Sequence, residues 1–167
     1  MAELAGRQRK DAASGLVLLD EAGRDLLQVG LVGGPSAGGV VQQRIAQATG
    51  IMVCDGLGNE QGGFGCMSNE RVVLGMDDAN GEGVMVYVAP DLKSRGVLIN
   101  GAPRPGDNGG PAPRLFLGLG QADEAALELR DAGGANRLVA RAPAKDEPQL
   151  LTLDPEGQEI ADLAADE

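Results

Sequence analysis

The sequence predicts an all-β protein whose antiparallel hairpins form a sandwich or a partly closed barrel. Three observations predict it. Apolar stretches run repeatedly into Asp with Gly three residues later; glycine is abundant without a triplet period; and short runs rich in Val, Ile and Leu recur between turn residues. The 27 glycines therefore serve turns and bulges, not a collagen helix.

The elements follow in order. Residues 1–14, with Arg7, Arg9 and Lys10, read as a polar N-terminal arm. Leu16-Val17-Leu18-Leu19 then leads into Asp20-Glu21-Ala22-Gly23, and Ile51-Met52-Val53-Cys54 into Asp55-Gly56-Leu57-Gly58. Leu127-Glu128-Leu129-Arg130 leads into Asp131-Ala132-Gly133-Gly134, and Leu151-Thr152-Leu153 into Asp154-Pro155-Glu156-Gly157. Asp at the first position of a type I turn caps it with its carboxylate, and Gly at the fourth takes the positive φ that fits strand twist. Val84–Val88 before Pro90-Asp91-Leu92-Lys93 is a degenerate copy, and Arg71–Gly75 echoes Arg114–Gly118. Residues 15–160 read as one all-β domain, and 161–167 as an acidic C-terminal tail.

Strand faces are also legible. Ala125, Leu127 and Leu129 alternate with Glu128 and Arg130, which predicts one face turned to water. The runs 51–53, 72–74, 84–88 and 97–99 do not alternate, which predicts cover on both faces from a second layer or another subunit. Gly38–Ala48 is ambiguous: Val41, Ile45 and Ala48 would share a helix face, but Gly38-Gly39 and Val40-Val41 favour strand and loop.

Composition narrows function. The net charge of −11 and the lack of a Lys/Arg stripe argue against nucleic acid and anionic membranes as partners. No apolar run approaches a membrane span, so membrane insertion is not expected and a cytoplasmic location is. There is no histidine, which removes the commonest general base and the commonest transition-metal ligand together. Three aromatic rings, Phe64, Tyr87 and Phe116, are few for stacking sugars.

Gly50 to Gly63, an apolar strand meeting an Asp/Asn-bearing turn and then Gly62-Gly63, resembles a segment of uncharacterised bacterial all-β proteins. The Arg114–Gly118 strand and the Asp131 and Asp154 hairpins are similar to the C-terminal part of the same family. Members often carry an N-terminal membrane helix, which this sequence lacks, and the resemblance implies no activity.

Three motifs could carry chemistry. Gly34-Pro35-Ser36-Ala37-Gly38 fits the G-x-S-x-G nucleophile elbow. Without histidine its serine would need a Ser–Lys pairing, and the pentapeptide resembles the serine motif of Lon-type peptidases. The first lysine after it, Lys93, sits in the degenerate turn, outside the matching context. Asp78, Asn80, Glu82 and Gly83 mimic the start of a calcium loop, but Ala89 stands where the bidentate acid belongs and strands flank it; a plain turn is the expectation, weak surface calcium the alternative. Cys54 and Cys66 would face each other if their hairpin closed around Asn59–Glu60; buried free thiols are the expectation, a disulfide the alternative.

The resulting expectation is a non-catalytic structural or protein-interaction module that self-associates, with no catalytic, cofactor-binding or metal-binding residues and no cofactor. The alternatives are a Ser36-based hydrolase and a small-ligand-binding β-barrel.

Overall fold

The structure, a computed structural model, describes residues 14–33, 36–37, 40–41, 46–78, 81–102, 112–143 and 145–163. Two compact units divide the chain, Met1–Ala79 and Asn80–Glu167. The described parts of both are built from antiparallel strands, as the sequence predicts.

The first unit contains β1 (Ser14–Leu19), β2 (Asp25–Val32), β3 (Ser36–Ala37), β4 (Val40–Val41), β5 (Ala48–Cys54), β6 (Glu60–Met67) and β7 (Val72–Asp78). Its sheet runs β1-β2-β5-β6-β7, and among the described residues β3 pairs with β4 in a separate short ladder. The second unit contains β8 (Gly81–Ala89), a 3-10 turn at Pro90–Leu92, β9 (Ser94–Gly101), β10 (Ala112–Leu119), β11 (Ala125–Arg130), β12 (Asn136–Ala142), β13 (Gln149–Leu153) and β14 (Glu159–Asp162). Its strands lie side by side in chain order. Neither unit's first strand pairs with its last, so neither closes into a barrel. The connections explain this: most are turns too short to carry the chain anywhere but beside the strand just left.

The four Asp turns share one geometry. Asp20 N–H donates to the Arg24 carbonyl at 2.9 Å and Gly23 N–H to the Asp20 carbonyl at 3.0 Å. The Asp20 carboxylate accepts from the N–H groups of Ala22 and Arg24. Asp55, Asp131 and Asp154 repeat the two backbone bonds and accept the N–H four residues on, and the fourth residue is Gly with φ of 77° to 84° each time. Two further hairpins use the same fold of backbone without the signature. Glu70 (φ 65°) closes the turn Met67–Arg71 and Asp123 (φ 59°) the turn Gly120–Glu124. The degenerate Pro90 copy also connects two strands, with Lys93 in the left-handed region at φ 49°.

Gly15, Gly30, Gly50 and Gly65 stand opposite one another across β1, β2, β5 and β6. A Cβ on Gly50 would overlap the carbonyl oxygen of Phe64 and lie 2.7 Å from the Gly65 Cα. No side chain fits there, so the glycine permits a close approach of backbones.

The first unit's small core, Val32, Ala48, Met52 and Cys54 with Met67 against it, occupies one side of its sheet. The run 51–53 thus alternates in this chain: Met52 is buried while Ile51 and Val53 are exposed. Cover from both sides, expected of this run, is not provided by the described residues. The N-terminal arm lies outside the described residues apart from Ser14, which opens β1. Of the expected tail, Ala161 and Asp162 belong to β14 and 164–167 lie outside the described residues.

Candidate functional site

Strand register assembles the leading candidate, a continuous apolar sheet face. Antiparallel pairing places Leu16, Val29, Ile51, Phe64 and Leu74 in one row across all five strands of the first sheet. A second row joins Leu18, Leu27, Val53, Gly62 and Met76. Side chains opposite in register share a face and touch across it. None of these positions is polar. Yet Leu16 is 41%, Ile51 44%, and Phe64 and Leu74 each 46% exposed, on the side away from the small core.

The second unit repeats the arrangement. Val84, Ile99, Leu115, Leu129, Leu138 and Thr152 form one row, and Val86, Val97, Leu117, Leu127, Ala140 and Leu150 the next. The water-facing side expected for β11 is reversed in degree. Leu117 is 53% exposed, whereas the Glu128 side chain is 16% exposed and held by Arg130 at 2.6 Å. Arg130 Nε also donates to Asn136 Oδ1 at 2.9 Å. Pairing Glu128 with its i+2 neighbour lets the charged side be covered while the leucines stay open.

Polar groups on the first sheet's other side are likewise engaged. Gln28, buried in the row with Met52, donates to Asp25 Oδ2 and accepts from Gly33 N–H, both at 2.9 Å.

The cysteines do not meet. The β5–β6 turn is centred on Leu57–Gly58, so Cys54 opposes Glu60 and Cys66 opposes Thr49. The turn thus lies about two residues before Asn59–Glu60, which slides the cysteines out of register. Both thiols are free, but only Cys54 is buried as expected; Cys66 shares the side of β6 that carries Phe64 and is exposed on the apolar face beside Val72. Burial, aided by the charges of Asp25, Glu60 and Asp55, pushes the Cys54 thiol up to about 11.

Ser36 lies in β3, paired with Val41, whereas an elbow needs a sharp strand-to-helix turn. Gly34, Pro35 and Gly38 lie outside the described residues, as do most of 38–45, although Val40–Val41 is strand. Ser36 belongs to the first unit and Lys93 to the second. Asp78 ends β7, Gly81 begins β8, and Ala79 and Asn80 between them lie outside the described residues. Among the described residues no cluster of His, Cys, Asp and Glu could hold a metal ion. No helix there is long and apolar enough to cross a membrane.

An open cleft of about 370 Å³ lies between the β8–β9 and β10–β11 turns, with Lys93, Arg95, Gln121 and Asp123 on its walls. The nearby Tyr87 hydroxyl and Ser94 Oγ are 2.7 Å apart, and Ser94 also donates to the Leu119 carbonyl. These bonds tie β8, β9 and β10 together at the cleft.

At the hairpin ends the Asp carboxylates are electrostatically set. The Arg24 N–H, above all, lowers Asp20 below the usual carboxylate value, and the Asn59 N–H does the same for Asp55. At Asp131 burial pushes upward, but the Ala135 N–H and Arg137 outweigh it. Sequence reasoning identified these turns; it missed that register gathers the apolar residues into rows, a signal that appears only once each turn's bulge is counted. No family model and no curated protein matches this chain.

Proposed function

We propose that the chain is a non-catalytic, self-associating interaction module that buries its apolar sheet faces against a second copy. The single observation behind this reading is the apolar face in each unit, broken in the named rows by Thr152 alone, with several of its side chains close to half exposed. From those exposures each face presents on the order of 500 Å², at the upper range for a monomer's largest patch. Either face alone supplies a large part of the ~800 Å² per partner of a standard interface. Absence of histidine and the strand setting of Ser36 support a role without catalysis.

Light scattering after gel filtration, over micromolar concentrations, tests the reading. The expected result is a mass above 17.0 kDa that Phe64→Lys or Leu117→Lys lowers. Cys66 adds an internal reporter, because it lies on the apolar face while Cys54 is buried. Its reaction with a thiol reagent should slow as concentration rises. A 17.0 kDa species at every concentration, with Cys66 always reactive, overturns the proposal. Fluorophosphonate labelling that Ser36→Ala abolishes would favour the hydrolase instead.

A further inference from the structure

The same sheet has an open edge, and the edge differs from the face in the bond it asks for. Among the described residues β1 pairs with β2 alone, so one side of its backbone has no strand beside it. Native edges are commonly guarded by charge, proline or brevity. β1 has none of these: Ser14-Gly15-Leu16-Val17-Leu18-Leu19 spans six residues without a charge or proline. The last strand of the second unit, β14, is four residues long and carries Glu159 and Asp162. Of these two strands β1 is therefore the unguarded one, and it is neutral in a chain of net charge −11.

We propose that β1 pairs antiparallel with β1 of a second copy, about a two-fold axis normal to the sheet. This rests on the self-association reading and adds a second contact to it. The outward backbone groups follow from the turn. Asp20 N–H donates across the hairpin to Arg24, so by the two-residue alternation Leu18 and Leu16 address β2, and Leu19, Val17 and Gly15 address the open side. Centring the two-fold on Val17 sets Val17 opposite its own copy and Gly15 opposite the copy's Leu19. Each of these residues then donates and accepts one bond. Leu16 meets the copy's Leu18, so the Leu16–Leu74 row continues into the second molecule. A two-fold normal to the sheet keeps both apolar faces on one side, which leaves them uncovered. Edge pairing and face stacking are thus separable, and together they give an assembly of four chains.

A second copy suits this edge better than an unrelated strand for two reasons. The edge is self-complementary under the two-fold, and its neutral apolar residues meet their like without bringing the acidic strand β14 into the ladder. Val17→Pro removes an outward N–H without touching the β1–β2 bonds, as proline tolerates an edge strand. Val17→Lys places a guarding charge at the same point. The expected result is that either variant halves the wild-type mass in light scattering, with an unchanged circular dichroism spectrum. Phe64→Lys should also halve it, and combining an edge and a face variant should leave single chains.

Crosslinking covers a variant that misfolds. In a Cys66→Ser background, mild oxidation of Val17→Cys should give a covalent dimer. The ~5.5 Å Cα separation of a hydrogen-bonded antiparallel pair lies within disulfide reach. Leu57→Cys, in a turn, is the control and should not crosslink. If the wild type associates but Val17→Pro and Val17→Lys keep its mass and Val17→Cys fails to crosslink, the edge proposal falls and the face reading stands. That outcome would be expected if residues 1–13 occupied the edge. A monomeric wild type overturns both.

Discussion

Glu70 and Gly23 occupy the same position of the same turn, and exchanging their chemistry tests whether the hairpins are held by turn geometry. Glu70 has φ 65° and Gly23 φ 77°. An L-residue in the left-handed region costs roughly 1–2 kcal/mol, while glycine's extra freedom in the unfolded chain costs roughly 0.5–1 kcal/mol. Glu70→Gly should therefore stabilise the first unit by about 0.5–1 kcal/mol. Gly23→Ala should destabilise it by about 1 kcal/mol, and the cost is purely conformational, since a Cβ there meets nothing within 4 Å. Urea unfolding followed by far-UV circular dichroism, at one fixed protein concentration, measures both. A change of 1 kcal/mol moves the melting temperature of a unit this size by roughly 4–8 °C. Glu70→Ala is the control: it keeps a Cβ at positive φ and should gain little. If Glu70→Ala stabilises as much as Glu70→Gly, or Gly23→Ala costs nothing, the turn argument is refuted.

Two other outcomes follow from the same structure. Asp20, Asp55 and Asp131 have folded pKa values below their unfolded ones, so each adds stability that is complete above the unfolded value. That stability is lost as pH falls from ~4 through the lower folded value; unfolding measured across this range should show a steeper acid loss in wild type than in the triple Asp→Asn variant. Gln28→Leu withdraws hydrogen bonds from Asp25 and from Gly33 N–H and should cost roughly 1–3 kcal/mol in urea unfolding, whereas retained stability would show that neither bond contributes.

Much of the hairpin order could be read directly, because Asp-x-x-Gly reports a backbone requirement and not a preference. The Glu70 and Asp123 turns were not legible: their residues at the first and fourth positions do not announce a positive φ, and flanking strand pairing imposes it. Closure was not legible either. Alternation says which residues share a side of a strand, but not whether anything lies over that side. Glu128 and Arg130 illustrate the difference. Their spacing matched a water-facing side, yet the salt bridge between them lets that side be the better covered one. Free thiols were the expectation, but their separation was not legible: it follows from a turn centred near Leu57–Gly58, which sets Cys54 opposite Glu60 and Cys66 opposite Thr49.

The distribution of charge shows how an acidic chain can carry bare apolar faces. Nine acids sit in the tight connections: Asp20 and Glu21 after β1, Asp55 after β5, Glu70 after β6, Asp91 after β8, Asp123 after β10, Asp131 after β11, Asp154 and Glu156 after β13. The two central rows of each face carry none. Repulsion between copies is therefore concentrated at the strand ends, while the middle of each face opposes nothing to a partner. Stacking two sheets with strands aligned would bring acidic ends together; crossing them would draw those ends apart, and orthogonal packing is one of the two arrangements open to stacked sheets. At 0.1 M salt such charges are screened beyond about 10 Å, so added salt relaxes the repulsion without weakening apolar contact. Association through the faces should consequently tighten as salt rises, the opposite of an assembly held by ion pairs.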